Sequence, residues 1–305
     1  MNPIQSMLPA AAALFALSIA SASADTPFAF KETSPTAIEL TDNGKPVYVY
    51  NFGPTLAPGF PESMRRAAYL HPVYAPDGTL LTDDFNPNHA HHRGIFWAWP
   101  EITVNGKKDD IWTVKGFQER FVRWGRRETN RSVARLAVEN GWYDGDRKFV
   151  KEHVQIVAHP VEGNRRVLEF TLQFEAVSDP VTIVGTPDQK KGFGGFAFRF
   201  ATPDGGGANT IITTDQGVSP TDGVMSRHPW AQISGIYKGK AAGARVEDDS
   251  ANAGYPRNGW LMRHELCALN VSYPGLNPIV LMPGKPLTLR YKVILFAGPS
   301  PDLPR

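Results

Sequence analysis

Hydrophobic and polar residues alternate with a period of two along much of the chain. In residues 168–176, LEFTLQFEA, leucine and phenylalanine alternate with polar residues. Because successive side chains of a strand point to opposite faces of a sheet, this pattern predicts a strand with one solvated face. Residues 287–296, LTLRYKVILF, begin with the same alternation and become apolar on both faces towards the end. This predicts a strand whose far end is buried on both sides.

The same criterion predicts further strands, at residues 46–51, 68–74, 95–99, 113–123, 132–142, 149–158, 194–200, 211–214 and 231–237. Turn sequences such as APDGT and TPDGGGAN separate them. No segment keeps a helical period, and 28 glycines and 26 prolines would interrupt long helices. The pattern predicts an all-β fold, a large antiparallel β-sandwich or jelly roll with few helices. Residues 203–230 and 246–265 are expected to be long irregular loops that carry binding residues.

The first 24 residues predict a secretory signal peptide. Their apolar run is too short to span a bilayer as a helix, and the sequence Ala-Ser-Ala at residues 22–24 fits the cleavage rule. No lysine or arginine precedes that run, and an uncleaved anchor is the alternative. No low-complexity linker follows, so residues 25–305 are expected to form a single β-sandwich domain. The mature protein is expected to be periplasmic or secreted, without membrane association.

Charge and cysteine content narrow the classes of partner. The net charge is +2, which does not favour a nucleic-acid partner. The basic segment at residues 119–135 is interpreted as an exposed hairpin, with binding of an acidic polysaccharide as the alternative. Cys267 is the single cysteine, so no disulfide can form within the chain. Stability must therefore come from burial.

Candidate chemistry concentrates in residues 86–99, NPNHAHHRGIFWAW. In an extended backbone His89 and His91 would share a face and His92 would lie on the other. Such a pair can bind a divalent metal, with a third ligand drawn from His71, Asp83, Asp84, His264 or Glu265. Alternatively, the histidines donate hydrogen bonds or move protons in a pocket, or belong to a purely structural loop.

Two further features favour a pocket near these histidines. Trp97 and Trp99 share one strand face and could stack on sugar rings, although core packing is the alternative, above all for Trp99. In GFGGFAFRF, Arg199 shares a strand face with two small residues, which would leave room for a ligand. The alternative for Arg199 is an ion pair with a structural carboxylate.

Five blocks, LHPVYAPDG, NHAHHRGIFWAW, FGGFAFRF, RHPWAQISG and PLTLRYKVILFAG, resemble the PmoA-like family of exported bacterial proteins of unknown function. The label methane oxygenase implies a copper-dependent membrane protein, whereas the mature chain has no apolar stretch of about 20 residues. The resemblance instead implies a β-sandwich similar to galactose-mutarotase-like carbohydrate proteins. Asn88 stands where the family usually has Asp. The residues inside the matching blocks are His71, His89, His91, His92, Arg93, Trp97, Arg199, His228 and Trp230.

The leading hypothesis is an exported enzyme that acts on a sugar or glycoside, a hydrolase, lyase or epimerase using histidine and carboxylate acid–base chemistry. Expected catalytic residues are His71, His91, His92, Asp222 and Glu265, with Asp83 as a further carboxylate. Expected substrate-binding residues are His89, Arg93, Trp97, Arg199, His228 and Trp230. The alternatives are a metal-dependent oxygenase or hydrolase that uses His89 and His91, and a non-catalytic glycan-binding module. No cofactor beyond a divalent metal is implied, and the expected partner is a small molecule or oligosaccharide.

Overall fold

A computed structural model describes residues 26–255 and 259–300. The predicted signal peptide at residues 1–24 lies outside these residues. The first strands of the chain are β1 (Phe28–Ser34), β2 (Ala37–Asp42), β3 (Lys45–Asn51), β4 (Tyr69–Val73), β5 (Ile95–Ala98), β6 (Glu101–Val104), β7 (Lys107–Asp109), β8 (Gln118–Thr129), β9 (Ala134–Asp144), β10 (Arg147–Ala158) and β11 (Arg165–Ala176).

The remaining strands are β12 (Val181–Val184), β13 (Gly195–Arg199), β14 (Ile211–Thr214), β15 (Gly217–Ser219), β16 (Gly223–Arg227), β17 (Trp230–Tyr237), β18 (Lys240–Asp248), β19 (Gly259–Arg263), β20 (Ala268–Ser272), β21 (Ile279–Leu281) and β22 (Leu287–Ala297). Single turns of 3₁₀-helix lie at Glu62–Met64, Asp188–Lys190 and Gly207–Asn209, and the described residues include no α-helix. The all-β prediction with few helices is confirmed.

The strands form two large antiparallel sheets and one small one. The first sheet has the order β1-β2-β3-β4-β5-β13-β20-β19-β16. The second sheet has the order β15-β14-β17-β18-β22-β11-β10-β9-β8, and the small sheet β21-β12-β6-β7. Apolar residues fill the space between the large sheets, for example Phe196, whose ring centroid lies 5.1 Å from that of Phe170 and 4.5 Å from that of Tyr291. The large antiparallel sandwich predicted from the alternation is therefore observed.

Strand β11 explains why the alternation predicts this architecture well. Its burial alternates along Arg165–Ala176, with the leucines and phenylalanines facing the core. It pairs with β10 on one side and β22 on the other. The strands of this group present their apolar side chains on the same face of the sheet. That face packs against the other large sheet, as in a β-sandwich.

Three of the predicted boundaries are wrong. Strand β8 begins at Gln118, five residues later than predicted, because the Asp110 carboxylate accepts hydrogen bonds from the backbone and hydroxyl of Thr113 and fixes a turn there. The two expected loops at 203–230 and 246–265 contain or overlap strands β14 to β19. Strands β14 and β17 are among those predicted from the alternation. Strands β15, β16 and β19 are only three to five residues long and β18 is rich in alanine, glycine and charged residues, so their alternation is weak and pairing with neighbours stabilises them.

The basic segment forms the hairpin predicted for it. Strands β8 and β9 pair along their length, and residues 130–133 connect them. Several of its arginines have acidic partners, such as Arg123 with Glu139 and Arg127 with Glu32. The positive charge of the hairpin is therefore partly neutralised. Within the described ranges, no helix is long and apolar enough to cross a bilayer.

Candidate functional site

The histidine loop, residues 81–94, lies between β4 and β5 and is bound to the end of β13. The backbone N–H of Gly94 donates to the carbonyl of Asp83 (2.8 Å), and that of Asp83 donates to the carbonyl of Arg199 (3.1 Å). The N–H of Arg199 donates in turn to the carbonyl of Gly94 (2.7 Å). These bonds bring the histidine loop and Arg199 together, as the sequence analysis expected.

Gly94 is required where the histidine loop enters β5. Its φ is +48°, a conformation that residues with a Cβ adopt rarely. A Cβ at this position would lie 2.0 Å from the carbonyl oxygen of Leu70 on the neighbouring strand. Only glycine allows the loop to pass this close to β4.

The three histidines lie in a turn, and their rings contact one another. The N–H of His92 donates to the carbonyl of His89 (2.9 Å), which closes the turn. The ring centroids of His91 and His92 are 4.5 Å apart, and those of His89 and His92 are 5.1 Å apart. The prediction that His92 faces away from the other two is therefore wrong, because it assumed an extended backbone. All three side chains are half-buried.

Burial keeps the three imidazoles neutral. It lowers the pKa of His91 to about 3, with a further contribution from the positive charge of Arg66. The pKa of His92 is lowered well below its usual value by burial and then by its neighbour His91. The pKa of His89 is lowered to a smaller extent, by burial and by the charge of Arg199. Near neutral pH each neutral ring therefore has one N–H that donates and one ring nitrogen that accepts a hydrogen bond.

Arg93 holds the histidine loop in place, which corrects its expected role in binding substrate. It is fully buried, and its guanidinium donates to the carbonyls of Ala90 (2.8 Å) and Met64 and to the Asp84 carboxylate (3.1 Å). It also lies 3.3 Å from the centroid of the Phe85 ring. With its donors used in this way, Arg93 cannot reach a ligand.

Arg66 is a residue next to the histidine turn that was not expected from the sequence. It is buried, and its guanidinium donates to the carbonyls of His91 (2.6 Å) and Ile111 (2.8 Å). The guanidinium lies 4.5 Å from the centroid of the Phe96 ring. No motif distinguishes this arginine from the adjacent Arg65, which is why sequence did not predict it. Its hydrogen bond to the carbonyl of His91 fixes the backbone of the histidine turn.

Arg199 is buried at the same place. Its Nη1 donates to the carbonyl of Leu266, and its Nε lies 3.6 Å from the Asp83 carboxylate without a hydrogen bond. Burial lowers its pKa, and the negative charge of Asp83 opposes that change. The N–H of a buried guanidinium that has no partner can donate a hydrogen bond to an acceptor group of a ligand. The neighbouring Ala197 on the same strand face is also buried.

His71 lies beside the histidine loop. Its Nδ1 is 3.0 Å from the Thr82 hydroxyl, and burial lowers its pKa against the opposing effect of Asp84. The Asp84 carboxylate accepts a hydrogen bond from the Tyr69 hydroxyl (3.0 Å), and burial raises its pKa although Arg93 opposes this. His71 and the carboxylates of Asp83 and Asp84 therefore join the histidines at one end of the first sheet.

The predicted stacking role of Trp97 is wrong. Trp97 and Trp99 are both fully buried, so neither can contact a sugar from solvent. The Trp97 Nε1 donates to the Glu152 carboxylate (2.9 Å), and the Trp99 Nε1 donates to the carbonyl of Tyr273 (2.8 Å). The alternation that suggested an open platform instead reflects the inner face of the sandwich. Glu152, a buried carboxylate, was not anticipated from sequence.

Asp222 and Glu265 lie near this end of the first sheet but outside the histidine cluster. The exposed Asp222 carboxylate accepts hydrogen bonds from the Arg263 guanidinium (2.9 Å) and from the backbone N–H of His264 (2.9 Å). Glu265 is exposed on the turn that follows. The structure places the two carboxylates next to the β19–β20 turn, whose Leu266 contacts Arg199.

His228 and Trp230 do not belong to this cluster. Strand β16 pairs with β19 so that Gly223 is at the end near Arg199 and Arg227 is at the opposite end. His228 follows Arg227, is buried, and its Nδ1 lies 2.7 Å from the Asp215 carboxylate. Trp230 stacks under Arg245, with 3.8 Å between the guanidinium carbon and the ring centroid. Their expected part in binding the same ligand is therefore wrong.

The residues present do not form a metal-binding group. Within residues 26–255 and 259–300, no group of three or more histidine, cysteine, aspartate or glutamate side chains could hold a metal ion. Of the expected third ligands, His71, Asp83 and Asp84 lie at the same end of the sheet but form no such group with the histidines. His71 is near Thr82, and Glu265 is on the β19–β20 turn. The arrangement is better suited to hydrogen bonding and proton transfer.

Solved structures resemble the chain only distantly. A mutant heparan sulfate lyase from Pedobacter heparinus aligns with 90% of this chain and 36% of its own, at 8% sequence identity and a TM-score of 0.43. A heparinase III gene product aligns with 89% of this chain and 35% of its own, at 10% identity and a TM-score of 0.34. The chain thus spans about a third of the length of these proteins. A comparison with curated protein sequences finds no significant match.

A family model matches most of the chain. It is described as a family of unknown function, DUF6807, and it matches residues 37–302. The match includes the histidine loop and Arg199. The PmoA-like resemblance is not confirmed by this comparison. The chain therefore belongs to the family of unknown function DUF6807.

Proposed function

We propose that the protein is a carbohydrate-active enzyme whose proton-transfer site is the histidine loop. One observation carries the proposal. Three neutral imidazoles contact one another at the end of a sandwich, beside a buried arginine that has an unsatisfied N–H. A sugar offers hydroxyl groups that both donate and accept, which neutral imidazoles can bind without ion pairing.

The roles of the histidines follow from their pKa values. An imidazole is an effective general base when its pKa is close to the working pH. The pKa of His91 is about 3 and that of His92 is lowered further from its usual range than that of His89. We therefore assign proton transfer to His89, with His91 and His92 binding the sugar hydroxyls. This reverses the roles expected from sequence.

Arg199 supplies positive charge to the same reaction. Proton removal from a sugar hydroxyl or ring carbon leaves negative charge on the substrate. The guanidinium is fixed by the carbonyl of Leu266 and lies close enough to lower the pKa of His89. A positive charge held in place before the reaction stabilises such an anion without reorganisation.

The proposal is tested by a thermal-shift screen against mono- and oligosaccharides, with and without divalent metals. A ligand of the native state should raise the melting temperature by mass action. With a saccharide that does so, His89→Ala should abolish turnover and retain binding within about tenfold. His91→Ala or His92→Ala should weaken binding. Exposed His153 on β10 gives the matched control, because His153→Ala should change neither measurement.

Two results would contradict the proposal. If no saccharide stabilises the protein, the ligand class is wrong. If a stabilising saccharide acts equally on the triple variant His89→Ala, His91→Ala, His92→Ala, the histidine loop is not its site. Binding that depends on all three histidines without turnover of any saccharide would support the glycan-binding module instead.

We also propose that the protein is exported and acts in the periplasm or outside the cell. The support is the apolar run and the Ala-Ser-Ala sequence at residues 22–24. N-terminal sequencing of the protein from the periplasmic fraction should begin at Asp25. Recovery of the protein in the cytoplasm with residues 1–24 intact would contradict export.

A further inference from the structure

A cavity of about 660 Å³ lies between the β3–β4 connection and strand β8. Its volume is within the range of small-molecule sites, roughly 300–1,000 Å³. Phe52, Ile111, Phe117 and Phe121 give it apolar walls. It lies outside the histidine loop, and nothing in the proposed reaction uses it.

One wall of the cavity continues into a cluster of half-buried aromatic rings. The ring centroid of Phe52 is 5.1 Å from that of Phe121 and 4.9 Å from that of Trp124. The rings of Phe121 and Trp124 are 4.8 Å apart. We call Phe52, Phe121 and Trp124 the aromatic wall. All three remain partly accessible, and such rings are suited to stacking on the apolar face of a sugar.

The charged residues of the cavity favour an anionic ligand. Three arginines line it, at positions 65, 66 and 120, against two glutamates at positions 62 and 119. Glu62 is bound to Arg65. One carboxylate oxygen of Glu119 is buried without a hydrogen bond, and burial raises the pKa of this group well above its usual value. Arg120 donates to the Gln118 side chain (2.8 Å) and lies 3.5 Å from the exposed Asp146 carboxylate. An exposed pair of this kind is weak, so the Arg120 guanidinium is the positive charge at the rim that an anionic ligand group can take over.

Arg66 connects the cavity to the histidine loop. Its side chain lines the cavity and donates to the carbonyl of His91 (2.6 Å). It also donates to the carbonyl of Ile111 (2.8 Å), another residue of the cavity wall. The cavity and the histidine turn therefore lie on two sides of one buried guanidinium.

We propose that this cavity is a second saccharide subsite, in which the aromatic wall stacks on a sugar ring and the cavity arginines bind an acidic substituent such as a carboxylate. The proposal rests on the proposed function only in taking the ligand to be a saccharide, because the residues of the cavity are distinct from the histidines. A saccharide fits better than a protein partner, because the site is concave and combines aromatic faces with charged groups at its rim.

Tryptophan fluorescence tests the proposal without any need for turnover. The protein is titrated with a uronic-acid-containing disaccharide and with a neutral disaccharide of the same size. The acidic sugar should change the emission at a concentration at least about tenfold lower than the neutral one. The change should disappear in Trp124→Phe. It should persist in the control Trp230→Phe, since Trp230 is also half-buried but lies at the opposite end of β16.

Affinity variants then assign the contacts. Phe121→Leu keeps an apolar side chain and removes the ring, and Arg120→Gln removes one positive charge at the rim. Each should raise the dissociation constant of the acidic disaccharide about tenfold, with the melting temperature within a few degrees of wild type. Unchanged affinity in both variants would overturn the proposal, as would equal binding of the neutral sugar or no change in emission.

The histidine variants separate this proposal from the proposed function. His91→Ala, His92→Ala should still bind the acidic disaccharide in the fluorescence titration. Binding without turnover of any saccharide would support the subsite and contradict the enzymatic function. Loss of binding in the histidine variant would overturn an independent subsite. Emission that depends on protein concentration without sugar would also overturn it, because a second copy would then cover the aromatic wall.

Discussion

At the scale of single residues, two neighbouring glutamates differ in the number of hydrogen bonds that their carboxylates accept. Glu152 accepts hydrogen bonds from the indoles of Trp97 (2.9 Å) and Trp142 (2.8 Å) and from the amide of Asn140 (2.9 Å). Glu119 leaves one buried oxygen without a partner. Burial and the negative charge of Glu152 raise the pKa of Glu119. The two residues should therefore respond oppositely to loss of charge.

We expect Glu119→Gln to increase the free energy of unfolding at pH 7.5 and Glu152→Gln to decrease it. The pKa of Glu119 is higher in the folded state than its unfolded value of 4.5, so the protein loses stability as the pH rises above 4.5. Glutamine does not ionise, so the Glu119→Gln variant does not lose this stability. Glutamine at position 152 would turn an NH₂ towards a donor and cost roughly 1–3 kcal/mol. Urea denaturation measures both. Equal destabilisation by the two variants would contradict this assignment.

At the scale of elements, the histidine loop is irregular but fixed at several points. It is bound to β13 through backbone hydrogen bonds and to the rest of the fold through the buried Arg93. Removing that side chain leaves Asp84 buried without its cation. The conformation of the histidine loop therefore depends on a few buried contacts.

Arg93→Met should decrease the free energy of unfolding by roughly 3–5 kcal/mol, the cost of leaving a buried charge unpaired. Limited proteolysis should then cut the chain within residues 85–93, which the wild type protects. The matched control is Arg126→Met, where an exposed ion pair with Glu128 is removed and the change should be below about 1 kcal/mol. A similar small effect of Arg93→Met would show that the loop does not depend on this residue.

At the scale of the whole molecule, the buried neutral histidines should make stability depend on pH. Folding lowers the pKa of His89, His91 and His92, so the unfolded state binds more protons than the folded state in acid. Their contribution is complete above the unfolded pKa of 6.5 and decreases as the pH falls towards about 3, the pKa of His91 in the fold. The positive charges of Arg66, Arg199 and Lys115 face these rings and act in the same direction.

We therefore expect a double variant, His91→Asn and His92→Gln, to gain stability relative to wild type as the pH is lowered from 7.5 to 4.5. Melting temperatures measured by circular dichroism at each pH give this difference, and His153→Gln serves as the control. A difference that stays constant with pH would show that these imidazoles are not held neutral by the fold.

How much of this could be predicted from sequence depends on whether a contact is local. The alternation in β11 and β22 predicted the sandwich, because neighbours along a strand decide which face is apolar. The meeting of Arg199 with the histidines was also expected. The roles of Trp97 and Arg66 were not, since each is set by a carboxylate or carbonyl that lies far away in the chain. The role of Arg93 was also not expected, because its bonds to Ala90 and Asp84 depend on the turn that the histidine loop adopts. No local pattern distinguishes a buried tryptophan from one that lines a groove.

The single thiol offers a reporter of motion. Cys267 is fully buried immediately before β20, in the turn whose Leu266 carbonyl contacts Arg199, and burial raises the pKa of its thiol. In the native state a thiol-reactive dye should modify it only during transient opening of this end of the sheet. A ligand seated against Arg199 should slow that labelling. The rate of Cys267 labelling thus measures local opening of this end of the sheet, and its decrease on ligand binding, without an engineered cysteine.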